Sequence, residues 1–227
     1  MTERQKMMAG KYYFAGDPSL QDERQGVRRA VYAFNQSSLE ERGAALAALK
    51  QYFRSSTEAL FLEPPFHCDY GGFISFGDNV YANINLTILD AALVTIGDFV
   101  FIGPNVTIVS TGHPLDAGLR NSYRQFGSPV TIGNNVWIGA SVTICPGVTI
   151  GDNAVIGAGS IVNRDIPPNV IAVGNPCKVL RKLTEEDRQR DIAEHSLGEQ
   201  DNAAFCSLEE LDTPRVKMLG EYGKTLF

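Results

Sequence analysis

Histidine is scarce in this 227-residue chain, which has only His67, His113 and His195. His113 sits in the stretch TGHPL (111–115), at the point where an otherwise regular run of residues breaks. A neutral imidazole can accept a proton near neutral pH, and such general-base help is worth about 10²–10⁴-fold in rate. His113 is therefore the candidate base; a loop histidine without a task would leave the break unexplained. His67 reads as structural, and His195 as a solvated residue of an acidic stretch. A second chemical feature is positive charge. Arg164, Lys178, Arg181 and Lys182 follow directly on residues 130–163, whose only ionisable charge is Asp152. Such a cluster suits the phosphates of a ligand, or equally a basic patch at a helix start. Cys68, Cys145, Cys177 and Cys206 are scattered with no CxxC pair, which fits reduced structural thiols better than a disulfide framework or a zinc site.

The elements that must carry these residues fall into three regions. Residues 1–60 have helical periodicity, with apolar residues three and four apart in DERQGVRRAVYAFNQ and SLEERGAALAALKQYF. Asp22 and Ser38 are the expected N-caps, and Ser38 with Glu41 has the capping-box pattern. Residues 61–183 contain a repeat of period six. Isoleucine or valine recurs at 132, 138, 144, 150, 156 and 162, and Ile96, Ile102 and Ile108 keep the same phase. Glycine takes the next slot at 133, 139, 151 and 157, where it is expected to permit the geometry of a corner. Period six fits neither an α-helix nor a two-sided strand; it is the mark of a hexapeptide β-helix, about five coils from 76 to 165. The phase slips by two around Asp90-Ala91-Ala92, and residues 111–129 form a loop after which it resumes. Residues 184–227 are an acidic C-terminal extension with a helix start at Thr184-Glu-Glu-Asp.

Charge and hydropathy exclude several classes. Residues 1–183 balance 15 acidic against 15 basic side chains, and residues 184–227 hold 11 against 5, which accounts for the net −6. No basic stripe suits nucleic acid, and no apolar run is long enough to span a membrane. The opening MTERQKMMAGKYY is too polar for a secretory signal, so a cytoplasmic location is expected. The sequons at Asn35, Asn85 and Asn105 read as chance matches. The charge-poor sides of the array call for a covering partner, so self-association is expected.

MAGKYY, FHCDYG (66–71), ANINLTILD (82–90), TGHPL, PVTIGNNVWIG (129–139), PGVTIGDN (146–153) and GNPCKV (174–179) together resemble the maltose/galactoside O-acetyltransferases among the hexapeptide-repeat acetyltransferases. The resemblance covers about residues 4–183. It implies a mainly β chain, a left-handed parallel β-helix with a small N-terminal helical region; the C-terminal helical tail beyond it is read from its own charge and helix start. It also implies a homotrimer with active sites between subunits, acetyl-CoA as donor, no metal, and a sugar hydroxyl as acceptor. The chemistry is direct attack by the hydroxyl on the thioester with His113 as base. By the same resemblance Asn83 contacts the acceptor near the histidine of a neighbouring subunit, and Asp69, Asp90 and Asp17 bind the acceptor, although Asp69 and Asp90 could each equally cap a turn. The Ala140 N–H stabilises the oxyanion, a contribution of about 10²–10³ in rate. Trp137 lies beside the histidine and the coenzyme A arm or, at least as readily, seals the groove between subunits, while Ala158, Asn163, Arg164, Lys178 and Arg181 take up the cofactor. Asn163 and Lys178 stand where threonine and arginine are common in the family, and lysine lacks the bidentate fork.

Two other readings share the scaffold. A metal hydratase needs three histidines converging on zinc, and only His113 lies in the array. A non-catalytic assembly module would have no reason to hold a lone histidine in TGHPL with a cation cluster downstream.

Overall fold

The computed structural model describes residues 1–194; His195, Cys206 and the rest of the acidic extension lie outside the described residues. The chain divides into two units, Met1–Leu180 and Arg181–Phe227. The first is a parallel β-helix capped by helices.

Short strands of two to four residues stack in parallel into flat faces. On one face Phe61–Leu62, Tyr81–Ala82, Phe101–Ile102, Trp137–Ile138, Val155–Ile156 and Val170–Val173 follow one another, six levels deep. The array is thus one coil longer than the period-six pattern suggests. Alternation along each strand sends one side chain in and the next out. The inward column reads Leu62, Ala82, Ile102, Ile138, Ile156 and Ala172, all buried. Two further faces stack Phe76, Ile96, Ile132 and Ile150, and Cys68, Ile88, Ile108, Ile144 and Val162.

The early coils escape a period-six search because they are longer. Stacked partners lie 18 residues apart late in the array (Ile138 beside Ile156) but 20 apart early (Leu62, Ala82, Ile102). The two additional residues fall each time at one corner: at Asp69–Gly72 after the strand Phe66–Cys68, and at Asp90–Ala92 after Leu86–Leu89. The 111–129 loop leaves from that same corner in the next coil, between Thr107–Val109 and Val130–Ile132. Ile96 still stacks on Ile132 and Ile102 on Ile138, so the loop is an excursion from an unbroken rod.

The corner glycines do a different task from the one the sequence suggests. The left-handed corner conformation is taken mainly by asparagines: 79, 85, 105, 135, 153 and 169 all have positive φ. Asparagine tolerates this region better than other L-residues. Gly139 has no such φ; a Cβ there would lie 2.6 Å from the Ala158 nitrogen of the next coil. Glycine lets the coils approach. The stacked asparagines also bond one another, Asn85 Nδ2 to Asn105 Oδ1 at 2.9 Å, and Asn35 pairs with both backbone groups of Phe66. All three sequon asparagines thus hold structural bonds.

Helices α1 (Glu3–Met8), α2 (Pro18–Asn35) and α3 (Arg42–Lys50) precede the coils. Val27, Val31 and Phe34 of α2 and Leu49 of α3 join Leu60, Leu62 and Phe66 in one core, so α2 and α3 seal the first coil from water. The cap of α2 is Asp17, with Pro18 at the first helical position, and not Asp22. Proline's fixed φ and missing N–H suit that position, which moves the start upstream of the apolar periodicity. Ser38 and Glu41 do exchange their reciprocal bonds, each at 3.3 Å, but these close a turn ahead of α3, which starts at Arg42. A short helix, α4 (Ala117–Asn121), lies in the excursion, and α5 (Glu185–Glu194) belongs to the second unit. No helix of the described residues is long and apolar enough to cross a membrane.

Candidate active site

The six-level face turns an aromatic ladder outward. Phe61, Tyr81, Phe101 and Trp137 are register partners in successive coils, with the first two rings stacked 5.6 Å apart. Trp137 is 58% exposed and Phe101 50%, an apolar surface that calls for a ligand or a partner. Beside the ladder runs a groove of about 500 Å³ that brings together Asn83, Trp137, Ala140 and Ala158, four residues named from the sequence. Tyr81, Phe101, Gly103 and Gly139 line it as well. The aromatic column is legible only once register is known, since its members lie 20 to 36 residues apart.

The groove is open because its floor residues are small. A Cβ on Gly103 would stand 2.8 Å from the Ala140 nitrogen, so glycine there keeps that backbone approachable. Asn83 is fixed at both ends: its N–H donates to the Ile102 carbonyl at 2.9 Å, and its Oδ1 accepts from the Ile84 N–H at 2.8 Å. Its Nδ2 has no hydrogen-bond partner among the described residues and is left as a donor toward a ligand.

His113 does not line that groove. It is exposed in the excursion, which is framed by two antiparallel pairings. Thr111–Gly112 pairs antiparallel with Phe126–Gly127, and Arg124–Gln125 pairs in turn with Tyr13–Phe14 from the N-terminal region. Tyr13, itself buried, donates its hydroxyl to Gln125 Oε1 at 2.9 Å. Glu3 links the Phe14 N–H, Lys6 and Arg124. Asp116 caps α4, and Arg120 from that helix donates to the carbonyls of Pro114 (3.0 Å) and Leu115 (2.9 Å), directly after the histidine. Tyr13, Glu3 and Arg120 were not found from the sequence. No local pattern marks them, since their partners lie across a non-local sheet or in a loop.

The three carboxylates named from the sequence have different surroundings. Asp69 is half-buried; burial raises its carboxyl and nearby Arg24 and Arg28 pull it back down. Asp90 is fully buried, so it does not present its carboxylate to solvent, and its Oδ1 accepts the N–H groups of Asp69 and Tyr70, both at 2.9 Å. Burial pushes its carboxyl up to about 7, against those two bonds. Asp17 holds the start of α2 by accepting from the Ser19 N–H at 3.0 Å.

Of the residues named for the cofactor, the amide of Asn163 and the cations Arg164 and Lys178 are exposed in the first unit. Arg181, in the second, is held by Asp187 through two bonds of 2.6 and 2.7 Å. That contact holds the Asp187 carboxyl well below its usual range, together with the Thr184 N–H. Among the described residues no three His, Cys, Asp or Glu side chains gather as a metal site.

Coils stacked in this way from six-residue sides define a class, the hexapeptide-repeat proteins. Residues 129–164 match the bacterial transferase hexapeptide family (six repeats), and residues 6–56 the maltose acetyltransferase hexapeptide capping motif. The galactoside O-acetyltransferase of Escherichia coli is 48% identical over 188 residues, covering 83% of this chain and 92% of that protein. A solved maltose O-acetyltransferase of Clostridium difficile superposes with a TM-score of 0.79 at 48% identity, over 81% of this chain and 98% of that one. A galactoside acetyltransferase solved with coenzyme A gives 0.80 at 47% identity, over 83% and 94%. The chain belongs to the maltose/galactoside O-acetyltransferase family.

Proposed function

We propose that this protein moves an acetyl group from acetyl-CoA to a hydroxyl of a sugar of the maltose, glucose or galactoside type. The observation that carries the reading is the groove that gathers Asn83, Trp137, Ala140 and Ala158 on one face, in a chain 47% identical to a relative solved with coenzyme A. The pantetheine arm needs a narrow apolar track past an approachable backbone N–H, and the small residues of this face offer one. Arg164 and Lys178, with Asn163, would meet the phosphate end.

In this mechanism His113 takes the proton of the sugar hydroxyl as its oxygen attacks the thioester carbon. The Ala140 N–H holds the oxyanion, and Asn83 orients the reacting groups. Collapse breaks the C–S bond, and the imidazolium returns the proton to the coenzyme A sulfur. Acetyl ester and free thiol are the products. Asp69 takes an acceptor hydroxyl. Because His113 lies outside the groove of its own chain, the working form is a homotrimer in which one subunit's histidine faces a neighbour's groove. The parts then divide as a cap (1–60), the β-helix domain (61–183) and an extension (184–227). The free thiols Cys68, Cys145 and Cys177 suit the reducing cytoplasm.

The test is incubation with acetyl-CoA and a panel of mono- and disaccharides while free thiol is followed, with the mass in solution measured in parallel. Acceptor-dependent thiol release by a species of three chains is expected. No release with any sugar, or an active monomer, overturns the corresponding part.

A further inference from the structure

Three successive coils lengthen at one corner, and their polar groups are bonded from level to level. Asp90 occupies the middle level. Its Oδ1 reaches one coil back to the N–H groups of Asp69 and Tyr70. From the coil ahead, the buried Ser110 hydroxyl meets the other end of the same turn, accepting from the Ala92 N–H at 2.9 Å and lying within bonding distance of the Leu89 and Ala92 carbonyls. Ser110 directly precedes the Thr111–Gly112 strand that leads to His113, and its carbonyl accepts the N–H of Ser128, where the excursion returns. Gly127 closes against the same turn; a Cβ there would lie 2.7 Å from the Ala91 carbonyl.

Asp90 is fully buried, and its Oδ2 has no hydrogen-bond partner among the described residues. A buried, unpaired carboxylate oxygen costs free energy that an uncharged residue such as the neighbouring Ser110 would avoid. A local cost of that kind, kept at a joint between two parts of a site, is the mark of a functional demand.

Resting on the acetyltransferase reading, we propose that Asp90 is a positioning residue: its carboxylate brackets the Asp69–Tyr70 turn, and through the Asp90–Ala92 turn it ties the acceptor-binding carboxylate of Asp69 to both ends of the His113 excursion. The ionised form is the stronger acceptor for the two N–H groups. The groups facing Asp90 are Cys68, Asp69 and Tyr70, while Arg24 and Arg28 from α2 act on Asp69. Both Asp69 and burial oppose ionisation of Asp90, so its charge changes across the neutral range.

The experiment compares wild type with Asp90→Asn, using maltose and methyl β-galactoside as acceptor probes. In the wild type the acceptor KM falls as pH rises from about 6 to 8, the window set by the neutral-range titration. Asp90→Asn is expected to raise the acceptor KM about tenfold, the loss of a charge-assisted bond, to flatten that pH dependence, and to leave the acetyl-CoA KM within about twofold. A variant with wild-type acceptor KM and an unchanged pH profile overturns the proposal, as does an equal rise in both KM values. The wild-type protein alone gives an independent reading, since the backbone amide shifts of Asp69 and Tyr70 should titrate together with one neutral midpoint. If both stay flat, the bracket is wrong whatever the kinetics show. If the wild type transfers to no sugar, the enzymatic reading and the acceptor half of this proposal fail together, while the amide titration still decides the bracket.

Discussion

At the scale of single residues, the proposed mechanism separates groups that would touch the reacting atoms from groups that would hold them. Replacing His113 by alanine should lower kcat on the order of 10²-fold or more and leave coenzyme A binding intact, because the imidazole is exposed and holds no part of the fold. Near wild-type turnover would refute the mechanism. Arg120 presents the opposite case. Its guanidinium bonds two carbonyls next to His113 and faces no reacting group, so Arg120→Ala should reduce kcat with little change in either KM. Arg120→Lys should restore part of the loss, as one of its donors can still reach a carbonyl. Equal damage from both substitutions would count against a positioning role.

At the scale of elements, the chain's N-terminal strand is the outer rail of the loop that carries His113. Tyr13–Phe14 pairs with Arg124–Gln125, which lies beside the strand leading to His113. Removing the Tyr13 hydroxyl leaves the ring's packing in place but deprives Gln125 of its donor, a loss of about 0.5–1.5 kcal/mol. Tyr13→Phe should therefore loosen the excursion more than the rod. Hydrogen exchange would show faster exchange in 111–129 and unchanged protection in the strands around Ile138 and Ile156. Uniform loosening throughout the chain would contradict the rail.

At the scale of the whole molecule, stability should carry the signature of Asp90. Its carboxyl lies near 7 in the folded chain, well above the ordinary value of 3.8. Between those values the folded state binds a proton that the unfolded state does not, so stability falls as pH rises through that window. Asp187 acts in the opposite sense: its lowered carboxyl adds stability above its ordinary value that is lost in acid, below the window of Asp90. Melting temperatures from pH 5 to 8 should decline for the wild type and decline less for Asp90→Asn. Parallel curves would show that Asp90 does not titrate there.

The sequence alone determined the rod. Six-residue spacing leaves the chain only one economical way to bury its aliphatic residues, so the β-helix, its unbroken continuation past TGHPL and the candidate histidine were all legible from residues 96–162. Asn83, Ala140 and Ala158 were legible by resemblance, and the groove then gathered them. Tertiary structure decided what depends on neighbours in the next coil or beyond. Corner glycines turned out to serve close approach, because only stacked backbones reveal what a Cβ would strike. The early coils hid behind two additional residues each, which stacking aligns and periodicity cannot. Whether Asp90 meets solvent was not legible either: it is fully buried and bonded to the Asp69 and Tyr70 N–H groups, because exposure is a property of the packed corner and not of the residue type.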